Sequence, residues 1–454
     1  MLLEFKTKNF KSFVDETTFS MLAAPKQKGL DYSLFAVKNS RTSKGLCSSV
    51  IYGPNAAGKT NIICAMDVLK SILLRGHIRN ALSVESSRNP ATVALELIPN
   101  NSFDEPIPVC FSIDFLEEDY RIQYELQLDL GTFLDADYES KRTVLQEKLL
   151  INGKSVFNRK SLEIDNLDFP EDTSIHLAKD NADTMRQIAE NSLNPQELFL
   201  TNGFKSIYSP KIADLILKWF TEKFMVFYRT DSMQFMGHLV NLKENTVYVE
   251  KTYNEAAKLF EAAKLFGISS NALGHIVDRE DSKPKLYSIF KGKNKAVLAE
   301  IFESHGTIRF INMFPLVIRA LLKGGTLVVD EFDASIHPMA LMSIINIFHN
   351  DEINKNHAQL IFNTHNPIFL NSNLFRRDEI KFVERDEKTQ KSILYSLSDF
   401  GTSGKDGVRK NEDYMKNYFI SRYGAIRNID FTPIFEKEPQ SEHAEAAYND
   451  TPKT

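Results

Sequence analysis

Residues 48–60 read SSVIYGPNAAGKT, and this stretch decides the fold. Its first five residues, Ser48–Tyr52, form a short apolar run that predicts a strand. After the glycine-containing loop, apolar side chains recur at helical spacing from Asn61 to Leu74. Strand, loop and helix in this order are the context that a phosphate-binding P-loop requires. The sequence therefore predicts an α/β domain built around such a loop.

The candidate phosphate-binding residues lie in this loop and at the start of the helix. Glycines let backbone N–H groups turn toward phosphates, and the helix N-terminus adds the positive end of its dipole. Lys59 is expected to reach the β- and γ-phosphates, and the Thr60 hydroxyl is expected to hold Mg²⁺. We therefore expect ATP and Mg²⁺ as cofactors, with these nucleotide-binding residues: Gly53, Pro54, Asn55, Ala56, Ala57, Gly58, Lys59, Thr60 and Asn61.

A second chemical element stands much later in the chain, at Leu327–Glu331. Three apolar residues lead into two acids, which fits a Walker B strand. We expect Asp330 on the Mg²⁺ shell, and we expect Glu331 to orient or deprotonate the attacking water as a catalytic residue together with Lys59. Two acids after a strand are more often a solvated turn when they stand alone, so the P-loop is what favours this interpretation.

The segments on either side of this strand are similar to motifs of ABC-type heads. Residues 332–338, FDASIHP, resemble a D-loop, with Asp333 and Ser335 as its candidates. Upstream, residues 303–307, ESHGT, open a helical run as a signature motif does in the SMC and RecF branch. In that branch the motif caps the γ-phosphate bound by the other subunit, which implies paired heads. The candidates acting in trans are Ser304, Gly306 and Thr307, and a simple helix N-cap at Ser304 is the alternative.

A histidine follows the next apolar run, in the sequence LIFNTHNP at residues 360–367. ABC-type heads carry a switch histidine at this position, one strand after Walker B, where it contacts the γ-phosphate. An imidazole can sense a phosphate there without a metal. A lone histidine is more often structural, but its position after Walker B favours a catalytic role for His365.

The order of these motifs predicts one discontinuous head. We expect an α/β fold of the ABC type: a mixed sheet with flanking antiparallel strands, split by a mainly helical insertion. Helical spacing at Pro210–Phe220 and Thr252–Phe266 supports the insertion, and alternating runs before residue 150 support the antiparallel strands. The expected parts are a first half of the head at 1–154, the insertion at 155–299, the second half at 300–430 and a flexible tail at 431–454.

Composition limits the class further. The chain has 454 residues, 43% of them hydrophobic, which is enough for a large domain and an inserted one. Its apolar stretches are far shorter than the roughly 20 residues that span a bilayer, and the N-terminus lacks a secretory h-region, so we expect a cytoplasmic protein without a membrane partner. Three cysteines without zinc-like spacing indicate free thiols. The net charge of −5 gives no global attraction to nucleic acid.

Taken with the P-loop, several further segments resemble one family: the RloA/AbiLi-type AAA-family ATPases, relatives of the OLD and PARIS AriA proteins of bacterial antiphage systems. The resemblance covers most of the chain. In this family the Lys11-Ser12 region lies beside the nucleotide, so both residues become binding candidates. Ala56 departs from the family's usual glycine, and Arg427 stands where the family commonly has proline. The matching segments are 9–13, 53–60, 303–307, 330–338, 359–366, 376–380, 394–400 and 422–426.

The resemblance implies an ATP-hydrolysing sensor or scaffold of antiphage defence. Such a protein works in paired heads with a TOPRIM-type nuclease and answers a trigger such as a phage protein. A nuclease of that type needs its own cluster of acids on a second α/β domain. The chain after His365 is short and ends in a polar stretch, so we expect the nuclease effector on a separate chain.

Two other functions remain open. An SMC/RecF-like DNA-repair ATPase would bind duplex DNA directly, and a lysine-rich run could serve it, although such runs are usually solvated hairpins. A binding module that turns ATP over negligibly is disfavoured by Glu331, for which it has no use. The lysines of the run are Lys283, Lys285, Lys291, Lys293 and Lys295.

Overall fold

The computed structural model describes residues 1–25, 27, 29–37, 43–79, 95–100, 106–131, 142–167, 182–228, 261–267, 272–277, 284–290, 295–402, 407–409, 412–427 and 429–436. In these ranges the strands are β1 (Leu2–Lys8), β2 (Thr17–Ser20), β3 (Leu34–Ala36), β4 (Lys44–Leu46), β5 (Ser48–Tyr52), β6 (Val109–Glu117), β7 (Tyr120–Asp129), β8 (Thr143–Ile151), β9 (Lys154–Lys160), β10 (Glu163–Leu167), β11 (Phe224–Phe227), β12 (Ala272–Val277), β13 (Pro284–Phe290), β14 (Lys295–Leu298), β15 (Thr326–Val329), β16 (Gln359–Asn363), β17 (Ile380–Arg385) and β18 (Ser392–Ser396).

Helices connect and cover these strands. Two segments, Leu200–Tyr208 and Trp219–Lys223, have π-helical hydrogen bonding, and Asp31–Ser33, Pro367–Phe369 and Leu397–Phe400 are short 3₁₀ turns. The labelled α-helices are α1 (Lys59–Arg75), α2 (Ala182–Asn191), α3 (Pro210–Lys218), α4 (Ala299–Phe302), α5 (His305–Lys323), α6 (Pro338–His349), α7 (Tyr414–Phe419) and α8 (Thr432–Glu436). Among the described residues, none of the helices is both long and apolar enough to cross a membrane.

The central sheet contains six strands in the order β11-β15-β16-β5-β17-β18. All neighbours pair in parallel except β17 and β18, so the sheet is mixed. Strands β5, β15 and β16 are buried at every residue, as expected for parallel strands covered on both faces. The carboxyl ends of these three strands meet at one edge, where ligands bind in open α/β sheets.

The strand pleat divides the interior between two apolar cores. Ile51, Val328 and Ile361 face the first core, which also contains the apolar side of α1 and the inward residues of the antiparallel sheet. Their strand neighbours, such as Val50 and Leu360, face a second core formed with α5, α6 and α7. The central sheet therefore lies between α1 with the antiparallel sheet on one side and helices on the other.

The antiparallel sheet has seven strands in the order β10-β9-β8-β7-β6-β1-β2. Along β7 buried and half-buried residues alternate, which is the pattern of a sheet with one face on the core. The expected mixed α/β fold with flanking antiparallel strands is confirmed.

In its described residues the expected insertion at 155–299 contains strands as well as helices. Strands β9 and β10 continue the antiparallel sheet, β11 is an edge strand of the central sheet, and β12, β13 and β14 form a small sheet of their own. Strand β9 was not predicted from the sequence because its residues are largely polar, and its Arg159 is nevertheless fully buried. Its guanidinium lies 3.5 Å from the carboxylate of the equally buried Glu147 on β8.

Some expectations fall outside the described residues. The helix expected at Thr252–Phe266 is described only from residue 261, where it is helical to residue 265. Residues 437–454 of the expected tail lie outside the described ranges, as do Lys283, Lys291 and Lys293. The side chains of Lys285 and Lys295 are likewise not described.

The cysteines are free, as expected, with Cys47 and Cys64 buried and Cys110 half-buried. Sequence spacing gave no sign that Cys47 lies close to His349 and Glu379, whose polar atoms are within 4.8 Å of its sulfur and of each other. Ser48 Oγ contacts His349 Nε2 and donates to Glu379 Oε1, both at 2.8 Å. This buried network ties β5 to α6 and to the start of β17, at the edge of the sheet opposite the P-loop.

Candidate nucleotide-binding site

The P-loop takes a conformation that only glycine allows at two positions. Gly53 has φ 155° and Gly58 has φ 110°. A Cβ at Gly53 would collide with the carbonyl oxygen of Val383, and one at Gly58 would lie 2.7 Å from the hydroxyls of Ser12 and Ser392. The loop therefore connects β5 to α1 against β17 and β18 with no room for side chains at these points.

Ala56 in the same loop also has a positive φ, of 61°. An alanine in this left-handed region is strained by roughly 1–2 kcal/mol, which glycine would not be. The loop is held from outside, because Ser392 Oγ donates a hydrogen bond of 2.6 Å to the Ala57 carbonyl. Alanine rather than glycine at this position therefore has a cost in local strain.

Lys59, the first residue of α1, points its ammonium back into the loop. Nζ donates to the carbonyl oxygens of Gly53 at 2.8 Å and Pro54 at 3.0 Å. Burial lowers the pKa of Lys59 to about 8, while Glu331 and Asp330 oppose this shift. Both Walker B acids are therefore close enough to Lys59 to affect its pKa, although they lie more than 200 residues further along the chain.

Thr60 and Asp330 meet directly. Thr60 Oγ1 donates to Asp330 Oδ1 at 3.1 Å, and Asn363 Nδ2 donates to the same oxygen at 2.5 Å. A hydroxyl and a carboxylate oxygen beside a phosphate loop are the hard donors that Mg²⁺ prefers, since this ion keeps several waters and takes few protein ligands. The donor set fits Mg²⁺.

Glu331 follows Asp330 and has φ 51°, in the left-handed region. Its N–H donates to Asn363 Oδ1 at 2.5 Å. Its carbonyl oxygen accepts a hydrogen bond from Arg309 Nη2. Both main-chain polar groups of this residue are therefore bound by side chains.

The D-loop candidate Asp333 and the switch-histidine candidate His365 lie near Asp330 and Glu331. Asp333 Oδ2 accepts a hydrogen bond of 2.6 Å from Thr364 Oγ1, which links the two loops. Partial burial and the Lys59 ammonium lower the pKa of His365, while Asp333 and Asp330 raise it. The charges of Lys59, Asp333 and Asp330 therefore act on His365, and the net effect favours the neutral imidazole.

The signature candidate forms the N-terminus of α5. Ser304 caps the helix, because its hydroxyl accepts the Thr307 N–H at 3.1 Å, as the N-cap alternative expects. Ser304 is nevertheless exposed at the start of a 19-residue helix. Gly306 packs so closely on the D-loop that a Cβ there would collide with the carbonyl oxygen of Ser335.

Lys11 and Ser12 differ in their surroundings. Ser12 Oγ accepts a hydrogen bond of 2.8 Å from Asn61 Nδ2 on α1, so it borders the P-loop. Lys11 Nζ donates instead to Glu96 Oε2 at 2.6 Å. Although burial opposes it, the nearby Cys64 and the bond to Glu96 hold the pKa of Lys11 above its usual range. The Lys11 ammonium is therefore engaged by a carboxylate in this structure.

Three residues at the site were not singled out from the sequence. Asn363 ends β16 beside the histidine motif, and its position after an apolar strand was the available signal. Arg309 is a half-buried residue of α5, and Ser392 is the first residue of β18. No motif points to the last two, since their contacts depend on the fold.

These features define the class of protein. One edge of a mostly parallel sheet carries a P-loop, an Asp-Glu pair and a histidine, and an antiparallel sheet completes the domain, as in an ABC-type P-loop ATPase head. The family model described as "AAA domain, putative AbiEii toxin, Type IV TA system" matches residues 48–371. The chain belongs to this family and is an AAA-family ATPase domain.

No curated protein sequence matches the chain. Among solved structures, it is similar to an SMC head bound to the C-winged helix domain of ScpA, with 14% identity, 87% of this chain and 97% of that chain covered, and a TM-score of 0.41. The SMC head domain from Thermotoga maritima has 14% identity, 87% and 98% coverage and a TM-score of 0.35. An SMC head with an extended coiled coil from Pyrococcus furiosus, bound to the C-terminal domain of ScpA, is 13% identical. The match covers 87% of this chain and 96% of that chain, with a TM-score of 0.36. At these TM-scores the similarities assign no role to any residue.

Proposed function

We propose that this chain binds ATP with Mg²⁺ and hydrolyses it to ADP and phosphate. The observation that carries the proposal is the contact of 3.1 Å between Thr60 Oγ1 and Asp330 Oδ1. It joins the P-loop to the Walker B strand next to the buried Lys59 ammonium, which donates hydrogen bonds to two neutral loop carbonyls. A triphosphate supplies the charge that this arrangement suits.

Each residue of the site has a distinct task in this proposal. Thr60 and Asp330 hold Mg²⁺, which neutralises charge developing on the phosphates. Lys59 binds the β- and γ-phosphates, and Glu331 orients or deprotonates the attacking water. His365, whose pKa is lowered by partial burial and by Lys59, donates a hydrogen bond to the γ-phosphate.

The site is completed by a second copy of the chain. In this proposal Ser304, Gly306 and Thr307 at the N-terminus of α5 suit an anion bound by the partner head, with Ser304 exposed and Thr307 buried behind it. Asp333 and Ser335 lie next to this end and take part in the same contact. The support is the exposure of Ser304 on a helix whose first turn is packed on the D-loop.

The biological role we propose is that of an ATP-driven sensor or scaffold in bacterial antiphage defence, as the resemblance to RloA/AbiLi-type proteins implies. Head pairing would control a separate TOPRIM-type nuclease, and a phage protein would be the trigger. The family description names a putative toxin of a type IV toxin–antitoxin system, which supports a chain whose output must be restrained until needed.

Mass spectrometry of complexes purified at native expression levels, before and after phage infection, tests this role. A companion chain with TOPRIM-type acids, retained by the wild type, is the expected result. Binding of duplex DNA by the isolated chain, falling steeply with salt, would instead favour the SMC/RecF-like repair ATPase. Recovery of neither a nuclease nor DNA at native levels would contradict the effector-control proposal.

ATP binding is expected to weaken as pH rises above about 8. Burial sets the pKa of Lys59 to about 8 without nucleotide, and bound phosphates raise it, so binding takes up a proton in this range. The dissociation constant should increase by up to about tenfold per pH unit between pH 8 and 9 and stay nearly flat below 7. Calorimetric titration with ATP at several pH values measures this. In Lys59→Arg, whose side chain does not titrate there, the dependence should disappear, and a flat wild-type profile would contradict the prediction.

A further inference from the structure

We infer that Arg309 and Asn363 are positioning residues that together fix the main chain of Glu331. The inference rests on the proposed hydrolysis, because it assigns a task within the same site. It is carried by two hydrogen bonds: Asn363 Oδ1 accepts the Glu331 N–H, and Arg309 Nη2 donates to the Glu331 carbonyl.

The amide of Asn363 bridges both Walker B acids. It accepts from the Glu331 N–H and donates to Asp330 Oδ1, each at 2.5 Å. The residue is 1% exposed at the end of β16, so its rotamer is fixed by packing. Because one planar group holds the backbone of one acid and the carboxylate of the other, the two acids cannot shift independently.

Arg309 holds the other side of the same residue from a different element. It lies in the second turn of α5, and its guanidinium reaches the main chain that follows β15. Glu331 has φ 51°, a region that residues with a Cβ seldom occupy. Such a conformation persists where its surroundings over-determine it. Without Arg309 the peptide after Glu331 can rotate, and the direction of the Glu331 side chain changes with it.

The position of Arg309 also links Glu331 to the outer end of α5. That helix begins at Ser304, and Gly306 packs directly on the Ser335 carbonyl. The same first two turns therefore contact the D-loop and hold Glu331. A displacement of the exposed end of α5, such as docking of a second copy, is transmitted to Glu331 through the Arg309 guanidinium.

The test compares turnover with nucleotide affinity in purified full-length variants. Arg309→Ala and Asn363→Ala should each lower kcat by about 10–100-fold, because small misplacements of a catalytic group cost that much. The dissociation constant of a fluorescent ATP analogue should stay within about twofold, since the hydrogen bonds that carry the inference go to Glu331 and Asp330. Arg309→Lys should recover part of kcat, because an ammonium can still donate to the carbonyl. Arg319→Ala, on the same helix, is the matched control and should leave kcat unchanged.

The outcomes separate this inference from the proposed function. If the wild type turns over ATP and Glu331→Gln does not, yet Arg309→Ala and Asn363→Ala retain full kcat, the positioning inference is overturned and hydrolysis stands. A matching loss of ATP affinity in the variants would also overturn it, by showing a general structural role. If the wild type has no turnover, the proposed function itself fails. Should Arg309→Ala not fold, Arg309→Lys and Asn363→Asp decide: a kcat below wild type with unchanged affinity in both supports the inference, and full kcat in both overturns it.

Discussion

Replacing Glu331 by Gln is expected to reduce ATP turnover by about 100-fold or more while ATP binding is retained. The amide is nearly the same size as the carboxylate, so the contacts of Glu331 through its main chain to Asn363 and Arg309 remain. What is lost is the negative charge and the ability to accept a proton from water. Release of phosphate measures turnover, and titration with a fluorescent ATP analogue measures binding.

Glu352→Gln is the matched control for this variant. Glu352 is an exposed glutamate in the turn after α6, and the same change there should leave both quantities unaltered. Glu331→Gln, unlike this control, should also accumulate in the nucleotide-bound, paired form, because it no longer hydrolyses the bound ATP. Wild-type turnover in Glu331→Gln would assign the water-activating role to another group.

Replacing Lys59 by Ala is expected to weaken ATP binding by at least about 100-fold. The variant loses charge-assisted hydrogen bonds to the phosphates, each worth about 1.5–3 kcal/mol. In the free protein the loss costs less, because Nζ donates to two neutral carbonyl oxygens, those of Gly53 and Pro54, and its charge is already disfavoured by burial. Calorimetric titration with Mg²⁺ and ATP measures the affinity.

An exposed lysine provides the control for Lys59. Lys416→Ala on α7 removes the same group from the surface and should leave the affinity for ATP within error of the wild type. Thermal unfolding of Lys59→Ala without nucleotide should be close to that of the wild type, whereas stabilisation by added ATP should be absent. Undiminished affinity in Lys59→Ala would place the triphosphate elsewhere.

The core of the fold was predictable because buried parallel strands leave a plain signal. Ser48–Tyr52, Thr326–Val329 and Gln359–Asn363 are short apolar runs ending in motif residues, and the structure has strands with the same bounds. The loop-to-helix transition at Lys59 was equally clear from its glycine and the helical spacing after it.

The strands within 155–299 were harder to predict, for two physical reasons. β9 reads as polar because it buries an arginine against Glu147, and hydrophobic patterning cannot reveal an ion pair between strands. β11 has only four residues and follows Trp219–Lys223 directly, which is too short a run for periodicity to distinguish it from the preceding helix. Both strands depend on partners that come from other parts of the chain.

The candidate site also contains residues that sequence motifs mark and residues whose contacts depend on distant parts of the chain. The residues expected to carry phosphate chemistry belong to motifs, and the structure brings Lys59, Thr60 and Asp330 together. Arg309 and Asn363 contact Glu331 across 22 and 32 residues, so these contacts depend on the fold. Lys11, taken from the family resemblance, is bound to Glu96, a contact that the resemblance did not contain.

The central claim is that one Mg²⁺-bound triphosphate joins the P-loop to the Walker B strand. An experimental structure with Mg²⁺ and a non-hydrolysable ATP analogue tests it most directly. We expect the ion about 2.1 Å from Thr60 Oγ1 with Asp330 beside it, and the Lys59 ammonium moved from the loop carbonyls to the β- and γ-phosphates. An analogue bound away from Lys59, or an ion that contacts neither Thr60 nor the surroundings of Asp330, would contradict the account.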